Sequence, residues 1–171
     1  MNASSLHDGS EKLSSGDHAG MRIAADGTWF HQGRLIRRQA LVQLFSGLLQ
    51  REKDGSYWLV TPAERARVTV EDAPFIATGI QHAGRGRHQR ITFRTNIGDL
   101  VPLDANHPLR MEQQADKEEA RPYIVVRDGL EARLARSVFY HLVELTEPGG
   151  EGKEEQLGVW SNDTFFVLGK A

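Results

Sequence analysis

Three polar clusters in this chain have the residue types and spacings from which chemistry is built. Glu71-Asp72 is a pair of carboxylates of the kind that general acid/base catalysis employs. Adjacent side chains on a strand leave opposite faces, so the two do not readily share one substrate. Asp72, just before Pro74, reads as a turn or bulge residue, and Glu71 as a residue facing a groove. Arg133, Arg136 and Tyr140 are spaced to share one polar helical face. That face suits an anion or a partner protein, or simply water with arginine stems packed on the tyrosine ring. Gly84-Arg85-Gly86-Arg87-His88 holds two arginines and a histidine. It lacks the third glycine of a dinucleotide fingerprint and the Gly-Lys-Ser/Thr of a phosphate loop, so it reads as an exposed hairpin tip.

Composition removes several other chemistries. The 171 residues contain no cysteine, which excludes disulfides, thiolate zinc sites and cysteine nucleophiles. Seven histidines form no His-Glu-x-x-His and no His-x-His pair, and no serine sits in a Gly-x-Ser-x-Gly elbow, so neither a metal nor any other cofactor is expected. A net charge of −2 draws the chain onto neither nucleic acid nor an anionic surface, and no aromatic residues interleave with the basic loop to stack bases. No apolar run approaches the roughly 20 residues that span a bilayer, so membrane insertion is not expected. Residues 1–20 carry no apolar stretch of signal-peptide type and read as a disordered tail; a cytoplasmic setting follows as the expectation.

The elements that must position these residues are of mixed type. Hydrophobic residues at 39 % and charged ones at 26 % are ordinary for a globular chain. Thr28-Trp29-Phe30-His31 and Leu35-Ile36 read as short strands around a Gln32-Gly33 turn. From about Arg37 to Arg51, Leu41, Val42, Leu44, Phe45, Leu48 and Leu49 cover one half of a helix. Asp54-Gly55 then turns the chain into a strand over Ser56 to Val60. Alternation predicts strands at Arg67 to Glu71, Gln89 to Arg94 and Leu100 to Leu103, with a further extended stretch at Pro74 to Thr78. Gln113 to Ala120 reads as a solvated connector. The last third repeats the opening order: a strand at Tyr123 to Val126, a turn at Asp128-Gly129, and a helix over Leu130 to Leu145. A flexible loop at Pro148 to Gly152 and a hairpin turning on Asn162-Asp163 follow. The chain is therefore expected to be α+β, with a tail at 1–20 and two similar strand–helix–strand units at 21–80 and 81–171, related by a possible duplication.

Several phrases resemble a bacterial family known as domain of unknown function 1285. They are Leu59-Val60-Thr61-Pro62-Ala63-Glu64, Val70-Glu71-Asp72-Ala73-Pro74-Phe75, Thr95-Asn96 with Gly98-Asp99, and Arg127-Asp128-Gly129-Leu130-Glu131-Ala132-Arg133. Gly158-Val159-Trp160-Ser161 and Phe165-Phe166-Val167-Leu168-Gly169 complete the series, so the likeness runs from about Gly27 to Gly169. The resemblance implies two related α+β domains, the second superficially like a pleckstrin-homology roll. It also implies a ligand site between them, a role in signalling, and no established catalytic residues. The family pattern favours glycine in the final turn, where this chain has Asn162-Asp163; both residues tolerate left-handed backbone.

These readings converge on a seam between the two units, with Glu71, Arg94, Asn96, Arg127, Glu131 and Trp160 as candidate ligand-binding residues and no catalytic ones. Glu131 falls with Leu134, Val138 and Leu142 on the apolar face of the second expected helix. There it either serves the helix dipole or is a buried carboxylate paired with Arg127, Arg37 or Arg38 across the seam. Trp29, Trp58 and Trp160 fill the core, or one of them walls a groove beside Asn96 and Arg94. The expected function is a ligand-sensing or protein-interaction module, in signal transduction, whose partner is a small molecule or a protein. The alternative is a small-molecule hydrolase, for which Glu64, Glu71, Asn96, Asp99 and Arg127 would have to converge.

Overall fold

Two periodicities compete along this chain, and each segment adopts the one that buries its apolar side against a neighbour. The computed structural model describes residues 20–150, 152 and 155–171. The expected tail, Gly20 apart, and Glu151 of the expected loop lie outside the described residues.

The first unit comprises β1 (Met21–Ile23), β2 (Trp29–His31), β3 (Arg34–Leu35), helix α1 (Gln39–Leu48), β4 (Leu49–Arg51), β5 (Tyr57–Val60) and β6 (Arg65–Val70). The strands form one sheet in the order β3-β2-β1-β6-β5-β4. Every pairing is antiparallel except the central one, where β1 runs parallel to β6. The second unit opens with β7 (Phe75–Ala83), β8 (Arg90–Thr95), β9 (Leu100–Pro102), β10 (Leu109–Glu112), β11 (Arg121–Arg127) and β12 (Leu130–Leu134). Their sheet, β10-β11-β12-β7-β8-β9, follows the same plan: two antiparallel meanders joined by the parallel pair β12 and β7. Helix α2 (Arg136–Glu144) then leads into a three-stranded antiparallel sheet of β13 (Glu147–Gly149), β14 (Gln156–Ser161) and β15 (Thr164–Lys170). The α+β class and the likeness of the two units are thus as expected: hairpin, helix and strand recur in β2-β3-α1-β4 and in β11-β12-α2-β13.

Both expected helices are shorter than their hydrophobic patterns. In the first, Leu49–Arg51 leaves the helix to pair with Tyr57–Leu59, because the Asp54-Gly55 turn brings a strand partner within reach. In the second, Leu130–Leu134 is a strand and not the opening of a helix. Leu130, Ala132 and Leu134 are buried at period two, and they continue as a helix only from Arg136. Glu131 and Arg133 consequently point away from the α2 side of the sheet. The Pro148–Gly149 part of the expected loop belongs to β13, paired with Leu157 and Gln156.

The buried apolar residues form one cluster running through both units, and the second unit's share lies with the second sheet, α2 and the three-stranded sheet. Phe75, Phe93, Ile91, Ile124, Leu130, Leu142 and Val159 are fully buried there. Burying side chains of this kind contributes about 1.5–3 kcal/mol each before entropy is charged. In the first unit Trp29 is buried and stacks on Phe45 at 6.4 Å. Trp58 and Trp160 are only half-buried and instead lie under guanidinium groups, Arg65 at 4.9 Å and Arg87 at 5.5 Å. The apolar half of α1 is only partly covered: Val42 is buried, whereas Leu44 is 60 % exposed.

Candidate functional site

Strand register assembles a half-buried cluster of charged side chains around the buried Tyr123. Arg110 pairs with Tyr123 and Tyr123 with Arg133, so β10, β11 and β12 present these three side chains as a row. Since α2 covers the other face, the row looks toward the first unit. Asp72, in the link between β6 and β7, meets it from that side with a side chain only 13 % exposed. The Tyr123 hydroxyl donates to Asp72 Oδ1 at 2.6 Å. Arg133 Nε lies 3.2 Å from Asp72 Oδ2 and Arg121 Nη1 lies 3.8 Å from it. Neither Asp72 Oδ2 nor Arg133 Nε completes a hydrogen bond although both are buried. The two atoms face each other as an ion pair without the alignment of a hydrogen bond.

The row is braced at its other end. Arg110 forks onto Glu131, Nε to Oε1 at 3.0 Å and Nη2 to Oε2 at 2.7 Å, and its third nitrogen donates to Glu112. The bidentate pair fixes the guanidinium 4.5 Å over the Tyr123 ring, and the bonds to Glu131, above all, hold Arg110 more firmly protonated than usual. Burial, reinforced by the bond to Asp72, pushes the Tyr123 phenol up to about 12. Tyr123 therefore stays a proton donor and does not serve as a base near neutrality. Tyr57 from β5 faces the same cluster and is likewise pushed up by burial.

Beside this row opens a cleft of about 180 Å³ between the 113–120 connector and α2. Lys117, Arg121, Arg133 and Arg136 line it, opposed among the described lining residues by the carboxylate of Glu119, with Phe139 and Tyr140 as an aromatic wall. Arg136 opens α2, a helix with no side-chain cap and no acidic residue in its first turn. A cation at that end opposes the helix dipole, whereas an anion bound there would be favoured by both. Among the described residues no group of His, Cys, Asp and Glu could hold a metal ion.

The sequence-predicted residues scatter around this site. Glu131 is in it, paired with Arg110 and with none of Arg127, Arg37 and Arg38. Glu71 is next to Asp72 but turns outward, accepting from Ala25 N at 2.9 Å and Arg22 at 2.6 Å. Those two contacts, the backbone one first, hold its carboxyl below the usual range. Asn96 staples the units: its Oδ1 accepts from Ile76 N and its Nδ2 donates to Gly27 O. Gly27 has φ +84°, and a Cβ there would come within 2.8 Å of Asn96 Nδ2. Arg127 donates to the Ser46 and Leu49 carbonyls at the end of α1, supplying a cation where the dipole wants one. Arg94 is exposed on β8, and Trp160 sits on β14 beside Phe165. The expected trio Arg133, Arg136 and Tyr140 does meet, around the cleft, although Arg133 reaches it from a strand. Sequence reasoning weighed Asp72 but read it as a turn or bulge residue, and it missed Tyr123, Arg110 and Arg121 as site residues. The alternation of Arg121, Tyr123 and Val125 opposite Arg133 and Glu131 was the available signal.

Comparison with known proteins places this architecture. Residues 14–73 match the profile of the DUF1285 N-terminal domain, of unknown function, and residues 74–168 that of the DUF1285 C-terminal domain, likewise of unknown function. The chain belongs to the DUF1285 family. A crystal structure of a DUF1285 family protein from Silicibacter pomeroyi is 44 % identical, covers 88 % of this chain and 80 % of its own, and superposes with a TM-score of 0.80. A second DUF1285 structure, from Shewanella baltica, is 29 % identical over 72 % of this chain and 90 % of its own, with a TM-score of 0.58. No curated protein matches the chain. The DUF1285 match spans both units and the seam, so the residues bracing that seam belong to the family's folded body.

Proposed function

We propose that this protein is a ligand-sensing module that takes a small organic anion, a carboxylate or phosphate ester, in the arginine cleft beside the seam. The carrying observation is the excess of positive charge around an aromatic-walled cleft: Arg121 and Arg133 share the one carboxylate of Asp72, Glu119 stands opposite, and Lys117 and Arg136 have no ion-pair partner among the described residues. Arg121 and Arg133 share Asp72, which hydrogen-bonds Tyr123 and lies in the link between the two sheets. Arg133 also donates to Ala25 O of the first unit at 2.9 Å. An anion drawing on these guanidiniums would thus alter contacts that tie the units together, which is how a small ligand biases a larger assembly. Sensing is preferred over hydrolysis because Glu71, Asn96 and Arg127 are each engaged in structural contacts, and Tyr123 is held as a donor. The same reading carries the cytoplasmic setting, the signalling role, the pleckstrin-homology-like outline of the second unit and its origin by duplication. No helix among the described residues is long and apolar enough to cross a membrane.

A thermal-shift panel of phosphate, phenyl phosphate, benzoate and succinate tests the proposal. Phenyl phosphate, which offers charge to the arginines and a ring to Tyr140, is expected to raise the unfolding midpoint most. Arg136→Ala should abolish the rise. A panel in which no anion stabilises the chain, or in which Arg136→Ala responds like wild type, would sink the idea.

A further inference from the structure

A second concave surface lies on the first unit, away from the arginine cleft. A trough of about 690 Å³ runs between the β2-β3 hairpin and the start of α1, lined by His31, Arg34, Leu35, Arg37, Arg38 and Leu41 among others. It continues along α1 into a further groove of about 540 Å³ that shares Arg38 and Leu41 and ends at Leu44. Two features set it apart. Large apolar side chains stand open to solvent on its wall, with Leu35 at 46 % and Leu44 at 60 % exposure. Its charge is of one sign: among the described residues no acidic one lines either part, and none of Arg34, Arg37 and Arg38 has an ion-pair partner. This runs against a chain whose net charge is −2.

The start of α1 adds to that field. The helix begins after Arg38 with no side-chain cap and no acidic residue in its first turn, leaving the positive end of its dipole uncompensated. Free amides, three guanidiniums and a row of leucines therefore face one trough. The surface is open along the start of α1, and its pairing of guanidiniums with exposed leucines is complementary to a segment that carries carboxylates and leucines together.

We infer that this trough docks an acidic, leucine-bearing peptide segment of a partner protein. The partner's carboxylates meet Arg34, Arg37, Arg38 and the α1 terminus, while its leucine side chains cover Leu35, Leu41 and Leu44, in the helix-in-groove manner. The alternative occupants, an anionic membrane and a basic or neutral peptide, differ in charge or shape and are separable by experiment.

The test is panning of a phage-displayed library of short random peptides against the immobilised full chain. Enriched peptides are expected to interleave Asp or Glu with Leu, Ile or Phe. A fluorescein-labelled peptide from that pool should bind Arg37→Glu/Arg38→Glu at least about tenfold more weakly than wild type, with a slower association rate and a weaker dependence on salt. Leu44→Ser, a change at an exposed position that leaves folding intact, should weaken it several-fold as well. Phenyl phosphate should not displace the peptide, which keeps this surface distinct from the arginine cleft. No enrichment, enrichment of peptides without acidic residues, equal binding by both variants, or cosedimentation with phosphatidylglycerol vesicles in place of peptide binding would each overturn the inference.

Discussion

Tyr123 shows how one side chain links folding to the candidate chemistry. Its ring lies under Arg110 and its hydroxyl donates to Asp72, which in turn stands 3.2 Å from Arg133 Nε. Tyr123→Phe leaves the packing but strands Asp72 Oδ1. Hydrogen bonds to charged groups are worth about 1.5–3 kcal/mol, so the urea midpoint should fall by that order. The pH dependence carries a sign. The unfolded chain ionises this phenol near 10, whereas the folded chain holds it to about 12. Between those values the native state keeps a proton that the unfolded state has released, so stability present below pH 10 is lost as pH rises through 12. Denaturation midpoints taken from pH 9 upward should decline less steeply in Tyr123→Phe than in wild type; parallel declines would contradict the assignment. From sequence only the alternation of Arg121 with Tyr123 hinted at a polar face, since Tyr123-Ile124-Val125-Val126 by itself reads equally well as a core strand. The identity of its partners depends on register, which joins Arg110, Tyr123 and Arg133 from separate parts of the chain.

At the level of elements, turn chemistry was the most readable feature. Asn162 and Asp163 both adopt positive φ, as the two-residue hairpin turn requires, and Asn162 also donates to Leu103 O at 3.0 Å. The same hairpin sets its own limit at Gly158, where a Cβ would stand 2.3 Å from Phe166 O and 2.7 Å from the Phe165 ring. Gly158→Ala is therefore expected to destabilise the chain by about 3 kcal/mol or more, read as a lowered thermal midpoint with lost exchange protection in β14 and β15. A wild-type midpoint would show that the hairpin yields more easily than its geometry implies. Helix ends were the least readable. Leu134, Val138 and Leu142 satisfy a helical stripe while Leu130, Ala132 and Leu134 satisfy a strand face, and the shared Leu134 makes one helix of both on a wheel. Pairing of Ala132 with Ile124 across a hairpin and with Phe75, far away in sequence, decides between them.

On the scale of the molecule, two six-stranded sheets of one plan meet at a seam held by long-range polar bonds. Arg127 reaches the end of α1, Gln43 donates to Ile97 O at 3.0 Å, Arg51 donates to Gly129 O at 3.2 Å, and Arg133 reaches Ala25 O. Arg127→Ala removes the cation from the α1 terminus and should speed amide exchange in the last turn of α1 more than in β8; uniform exchange would argue against a seam role. The existence of a seam was foreseeable from the repeated element order. The position of its ligand cleft was not, because the cleft needs Arg121, Arg133 and Arg136 from a strand, a second strand and a helix. Calorimetric titration with phenyl phosphate, of wild type and of Arg121→Ala/Arg136→Ala, tests that cleft most directly. Saturable one-site binding, weakened by about a hundredfold or more in the double variant, is the predicted result. Absence of binding to wild type, or equal affinity in the double variant, would contradict the account.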